Sequence, residues 1–346
     1  MAKLPDPINT TASKIFSHYE ATQEDGRRPH LGASLIGSPC ERALFYTFRW
    51  ATIKKHPGRL LRLFQTGHLE EERVAKNLRD IGIELLTESP TGGQWAINDF
   101  GGHFGGSVDG VGLGAPEGPK SWFVWENKSS NTKAFKELQA KGVQVAKPMH
   151  YAQATTYMGY LGIERALYTC VCKETDDIYV EWVHFDPVEF ARIKARAERI
   201  IRAAEPPLRI SNDPSFYQCK FCDHWDVCHG VKAPAVSCRT CAHSTPEMDG
   251  DRRWSCAAHG IDIDLDSQRE SHQCPSHRYI PILLAKAGNQ TDVVNGEVIY
   301  DSGAINGPGG VTSNEIALME DITMLGDVTK LKVDLAGQGI GSEVVR

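Results

Sequence analysis

The chain has 346 residues, 41% of them hydrophobic and 24% charged, an ordinary globular composition with enough apolar material for one good core plus appendages. No apolar run approaches the roughly 20 residues that span a bilayer and no basic, apolar leader opens the chain, so the expectation is a cytoplasmic protein, whether its gene is cellular or viral. The formal charge of −6 excludes a uniformly basic nucleic-acid binder, yet four basic and nine acidic residues from Ala285 onward account for −5 of it and leave the body near neutral.

In chain order, residues 1–30 read as a polar leader with a short helix over 12–22. Ser38-Pro39 supplies a cap and a first-turn proline for a helix running to 50. A longer helix over 60–81 follows, with Leu63, Leu69, Val74 and Leu78 at helical spacing. Strands are expected at 84–88, 104–113 and 122–128, the last two joined by a Gly/Pro-rich hairpin turn over 114–119. Helices over 132–140 and 148–161 precede strands at 166–173 and 179–184 and a charged helix over 187–204. Cysteine-rich segments occupy 217–230 and 237–277. Beyond them an acidic, Gly-rich extension carries short β-type runs such as 298–300.

Four words stand on this frame in a fixed order: Gly67-x3-Glu71, Asp109, Glu126-Asn127-Lys128 and Gln153-x3-Tyr157. Residues two apart on a strand point the same way, so Glu126 and Lys128 share a face, with the Asn127 backbone carbonyl nearby. An antiparallel hairpin would bring Asp109 beside Glu126. Two carboxylates so placed repel unless a cation joins them, and hard oxygen ligands suit Mg²⁺ or Mn²⁺. Glu71 would complete the ligand set, with His68 as its competitor. Gln153 and Tyr157 lie on one helical face. Taken singly, each word has a bland reading as a solvated pair or a wet helix face.

In order and spacing the words resemble the PD-(D/E)XK nuclease superfamily, and within it the RecB-like exonucleases. The resemblance covers residues 31–230 and implies an α/β (α+β), restriction-endonuclease-like core: a mixed central sheet flanked by helices, in the order α, βββ, α, β. It implies a metal-dependent DNA nuclease hydrolysing phosphodiester bonds, with Lys128 steering the water and Gln153 and Tyr157 over the active site. Related enzymes often place His where this chain has Glu71. The text around Gln153 looks like nucleases of phage recombination systems, so the expected partners are DNA, as single strands or duplex ends, and a recombination or helicase protein. Two alternatives are a spacer-processing nuclease of CRISPR adaptation and a non-catalytic nucleic-acid-binding protein on a nuclease fold.

Ten cysteines without a secretion signal point to metal or cluster ligation. Cys219-x2-Cys222-x5-Cys228, with Cys40 far upstream, resembles the iron-sulfur staple of AddB-type helicase-nucleases and CRISPR-associated RecB-like exonucleases, which implies a [4Fe–4S] cluster. Zinc held with His224 or His229 is the competing reading. Cys238-x2-Cys241, Cys256 and Cys274 fit a tetrahedral Zn²⁺ site, with His277, His259, His243 or His272 as substitutes. Trp254 and Arg252-Arg253 beside it would either touch DNA or, for the Trp, fill a small core. Cys170 and Cys172, alternating with apolar neighbours, read as core packing. Gly110, Gly112 and Gly114 make no dinucleotide fingerprint, since no helix follows them. The resulting division is a leader (1–30), a clasped nuclease domain (31–232), a zinc module (233–284) and the extension (285–346).

Overall fold

The computed structural model describes residues 10–271, 274–284, 289–294, 297–301 and 310–322. It opens with α1 (Thr10–Ala21), the two-residue strand β1 (Leu31–Gly32), α2 (Glu41–Phe48) and the long α3 (Gly58–Asp80). Helix α2 begins later than Ser38-Pro39 suggests, with Cys40 at its N-cap in extended backbone and no side chain capping it. Tertiary contacts override the local signal. Buried Arg196 donates to the carbonyls of Ile36 at 2.7 Å and Ser38 at 2.5 Å, which holds this segment outside the helix.

Next come β2 (Glu84–Leu86), β3 (Trp95–Asp99), β4 (Phe104–Val108), β5 (Gly110–Leu113) and β6 (Phe123–Ser130), then α4 (Thr132–Ala146), α5 (Pro148–Leu161), β7 (Arg165–Cys172), β8 (Ile178–His184) and α6 (Pro187–Arg202). The main sheet runs β2-β5-β6-β7-β8. Within this sheet β6–β7 is the parallel pair, and a parallel pair needs a long crossover, which α4 and α5 provide. Helical structure in α4 extends past 140 but breaks at Gly142 (φ 71°), after which Glu181 accepts the Val143 N–H at 2.8 Å. Helix α5 has Pro148 in its first turn and stops at Gly162 in the left-handed region (φ 66°). The sheet is covered on both sides. Phe45, Phe104, Val124, Met158 and Ile200 fill one core, while Val74, Leu85, Phe123 and Trp125 fill the other beneath α3.

The expected single strand over 104–113 is corrected. The chain bends at Asp109, and the two halves join different sheets: β4 lies between β1 and β3, while β5 pairs with β2 and β6. A strand-like run of residues cannot disclose such a change of partner, because each half keeps extended backbone.

Beyond this body come the short helices α7 (Tyr217–Lys220) and α8 (Trp225–His229), then β9 (Ser244–Pro246), β10 (Trp254–Cys256) and β11 (Ile261–Ile263), paired as β11-β10-β9, and α9 (Leu265–Glu270). Trp254 is fully buried and packs 5.5 Å from the Phe48 ring, in the core that also holds Phe104. Its reading as a DNA contact is therefore corrected to core packing. Arg253 is ion-paired with Asp249 and Asp262, and Arg252 packs on Gly102. Finally β12 (Asn289–Val294), β13 (Glu297–Asp301), β14 (Val311–Thr312) and α10 (Ser313–Ala317) make a small unit whose Tyr300 and Ile316 pack on Tyr279. Most of the acidic extension lies outside the described residues, as does His272. Among the described residues no helix is long and apolar enough to cross a membrane.

Candidate active site and metal pockets

The β5–β6 register sets Gly110 opposite Trp125, so Asp109 arrives beside Glu126 at the end of the hairpin. Its Oδ2 accepts the Asn127 backbone N–H at 2.8 Å. On the same face of β6, Lys128 Nζ donates to Glu126 Oε1. The other face carries Trp125 and Asn127, which are fixed by Thr169 of β7. Its hydroxyl accepts from Trp125 Nε1 at 3.0 Å and donates to Asn127 Oδ1 at 2.8 Å. Thus one face of the strand anchors it and the other presents chemistry.

Burial dominates the electrostatics here. Glu126 is fully buried, and desolvation followed by the neighbouring Asp109 charge pushes its carboxyl up to about 8. Desolvation and Asp109 likewise push Glu71, on α3, up to about 7. Asp109 is also raised by burial, against the opposing pull of Lys128, the Asn127 N–H and His68. Lys128 is lowered by burial, but Glu126, Asp109 and Glu71 together outweigh that and hold it above its ordinary value. Asp109 thus interacts electrostatically with both Glu71 and His68 of α3.

Gln153 and Tyr157 of α5 are buried, and Gln153 Nε2 donates to the Tyr157 hydroxyl at 3.2 Å. That hydroxyl fits against Gly106 of β4, where a Cβ would lie only 2.8 Å away. Burial and then the Glu126 charge raise Tyr157, so it stays protonated. Two groups near the site escape sequence reasoning. Tyr168 sits directly across the β6–β7 pairing from Glu126, and its hydroxyl is 2.8 Å from His150 Nδ1. Burial, then Lys128, holds His150 down at about 3, hence neutral. The signal was present, since His150 precedes Gln153 by three residues and shares its helical face.

These residues fit a divalent cation. Glu126 Oε2 is buried with no hydrogen-bond partner, and three carboxyls crowd a water-poor site. In metal-free protein the folded chain holds protons on Glu71 and Glu126 that an unfolded chain, with carboxyls near 4.5, releases. Its stability is expected to fall as pH rises from 4.5 to about 8, while metal binding in that window displaces protons. Calorimetric Mn²⁺ titrations at about pH 6.5 in buffers of different ionisation enthalpy check this. Binding without proton release would remove these carboxyls from the ligand set.

The cysteines gather in two places. Cys40, Cys219, Cys222 and Cys228 line one cavity of about 330 Å³ together with Arg42, Tyr46 and Arg209. Burial, then the charges of Cys228 and Cys40, raises the Cys219 thiol, and Arg209 Nε donates to Cys228 Sγ at 3.4 Å. His224 also borders this cavity, its Nε2 2.9 Å from the Thr47 hydroxyl. Cys238, Cys241, Cys256 and Cys274 line a second cavity of about 190 Å³ with His243, His259 and His277. Among the described residues no three His, Cys, Asp or Glu side chains are already drawn tightly enough together to hold a metal ion. Cys170 and Cys172 are buried in the main core.

A family model for the PD-(D/E)XK nuclease superfamily matches residues 19–229. Among solved structures, the chain is similar to LHK-Exo in complex with dAMP, at 15% identity over 53% of this chain and 90% of that one, with a TM-score of 0.35. It is also similar to an alkaline exonuclease (LHK-Exo) from Laribacter hongkongensis, at 16% identity over 54% and 89%, with a TM-score of 0.33. No curated protein matches.

Proposed function

Because this chain belongs to the PD-(D/E)XK nuclease superfamily, we propose that it is a metal-dependent deoxyribonuclease, an exonuclease acting on DNA ends in recombination or end processing. One observation carries the reading: a fully buried Glu126 with one oxygen on Lys128 and the other unpartnered, beside Asp109. Glu71, Asp109, Glu126 and the Asn127 carbonyl would hold Mg²⁺ or Mn²⁺, which supplies Lewis acidity and a more acidic bound water.

The chain's own groups do the rest. Lys128 holds the attacking water and favours its deprotonated form through its positive charge. Asp109, fixed by the Asn127 N–H, keeps its carboxylate aimed at the same point. Tyr157, braced by Gln153 and seated against Gly106, spaces α5 from β4 and so sets the depth of the site. Cys40, Cys219, Cys222 and Cys228 would hold a [4Fe–4S] cluster in the larger cysteine cavity as a structural clasp. The smaller cavity is read as a Zn²⁺ site of Cys238, Cys241, Cys256 and Cys274, with His277 the substitute for one of them.

The test is digestion of linear and circular DNA, single- and double-stranded, with Mn²⁺ or Mg²⁺. Loss of nucleotides from linear substrates alone is expected. Cutting of closed circles would overturn the exonuclease assignment, and no cleavage of any substrate would overturn the enzyme.

A further inference from the structure

Arg49 and Arg239 lie buried in the core next to the smaller cysteine cavity, and among the described residues no acid answers either of them. Arg239 is completely buried and Arg49 is 3% exposed, and among the described residues neither forms an ion pair with a carboxylate. Arg239 donates to the carbonyls of Phe48 and Pro29, each at 2.9 Å, and to Gln268 Oε1 at 2.8 Å. Its guanidinium lies 3.8 Å from the Trp50 ring centre and 4.9 Å from that of Trp254. Arg49 donates to the carbonyls of Ala203 at 2.9 Å, Arg239 at 3.3 Å and Ser244 at 3.4 Å, while its Nε has no partner. Carbonyl dipoles and ring faces solvate a guanidinium without cancelling its charge. Two uncompensated cations in one core are costly.

Both stand beside the smaller cysteine cavity. Arg239 is enclosed within the Cys238-x2-Cys241 knuckle itself. Ser244, whose carbonyl Arg49 holds, lines the cavity with the four cysteines. The Arg278 backbone N–H points at Cys241 Sγ from 3.5 Å, a donor suited to a sulfur that carries negative charge. Four thiolates around one divalent cation leave a net charge of two minus. Two buried guanidinium groups lie in the adjoining core, Arg239 carried by the knuckle between Cys238 and Cys241 and Arg49 bonded to the Ser244 carbonyl.

We infer that the smaller cavity binds Zn²⁺ through Cys238, Cys241, Cys256 and Cys274 as a doubly negative centre whose counter-ions are Arg49 and Arg239. This deepens the zinc reading above and rests on it. His277 borders the same cavity, with Nδ1 unpartnered and Nε2 3.2 Å from the Thr240 hydroxyl. Exchanging one thiolate for neutral His277 would leave a single negative charge and one guanidinium unanswered, so the charge count selects four sulfurs. The pairing also fastens the cysteine module to the nuclease body, because Arg239 reaches across to the last residue of α2 and to Pro29 ahead of β1.

The experiment uses full-length protein purified anaerobically, with Cys256→Ser as the reference lacking this centre. X-ray absorption at the zinc edge is expected to show four sulfurs, and a shell of three sulfurs and one nitrogen would overturn the charge count. Zinc release to a chelator should be about tenfold faster from Arg239→Met and from Arg49→Met than from wild type, with Arg239→Lys close to wild type. The decisive readout is a reversal of sign. With zinc bound, Arg239→Met should melt below wild type; stripped of zinc, it should melt above it, because the substitution then removes an unbalanced buried charge. Melting below wild type in both states would show that Arg239 serves packing alone and overturn the pairing. Should Arg239→Met yield no soluble protein, Arg49→Met is read by the same reversal. Wild type that retains no zinc overturns the site whatever the DNA digestion shows, and active nuclease without zinc leaves the catalytic reading intact.

Discussion

Lys128→Ala is expected to lower Mn²⁺-dependent DNA cleavage by about 10³-fold while the protein stays folded, the range seen when a positioned acid–base group is lost. The side chain is one-quarter exposed and pairs with a completely buried Glu126, so it is held by the site rather than by the core. Removing the ammonium also removes the charge that opposes protonation of Glu126. The variant should therefore need higher pH to bind metal, and saturating Mn²⁺ at alkaline pH should restore metal occupancy without restoring the rate. Lys128→Arg should keep the metal affinity and recover only part of the rate, since a planar guanidinium keeps the charge but not the compact ammonium's position beside Glu126. Initial rates against metal concentration at several pH values measure both effects. A variant as fast as wild type at saturating metal would take Lys128 out of the reaction.

Cys222→Ser is the second large expected effect. Bringing Cys40 and Cys219 together closes a loop of 179 residues, at a chain-entropy cost of roughly 4 to 5 kcal/mol. Structural metal binding contributes on the order of 10 kcal/mol or more, enough to hold both ends of the domain. Wild type should purify anaerobically as a brown protein with bound iron and sulfide, and the variant should be colourless and melt at a clearly lower temperature. It should not unfold outright. Glu41 still pairs with Arg196 and Arg199, and Arg42 still donates to the Pro207 carbonyl at 2.6 Å. Wild type that is colourless and carries zinc in both cysteine cavities would dismiss the cluster and leave the catalytic proposal standing.

Local pattern carried much of this architecture. Helix α5 falls at residues 148–161 in both readings because Pro148 and Gly162 mark its ends. The hairpin that joins Asp109 to Glu126 is written in a Gly/Pro turn between two apolar runs. What stayed hidden depends on partners distant in sequence. Thr169 and Tyr168 acquire meaning only through parallel pairing with β6, which no turn announces. Strand β1 is two residues long and exists because it adds to β4. The change of sheet at Asp109 is likewise a choice of neighbour, not of backbone preference. The start of α2 is set in the same way, since Arg196 overrides the local cap. Trp254 is ambiguous in any sequence, because a large ring serves a core and a nucleic-acid surface equally well.

The Arg196 latch has a consequence for biosynthesis. Its two carbonyl partners, Ile36 and Ser38, leave the ribosome about 160 residues before the arginine that seats them. During that interval the neighbouring Cys40 waits on an unanchored stretch of nascent polypeptide. The cluster proposed above would therefore be seated on this thiol only after translation has passed the third quarter of the span that the family covers.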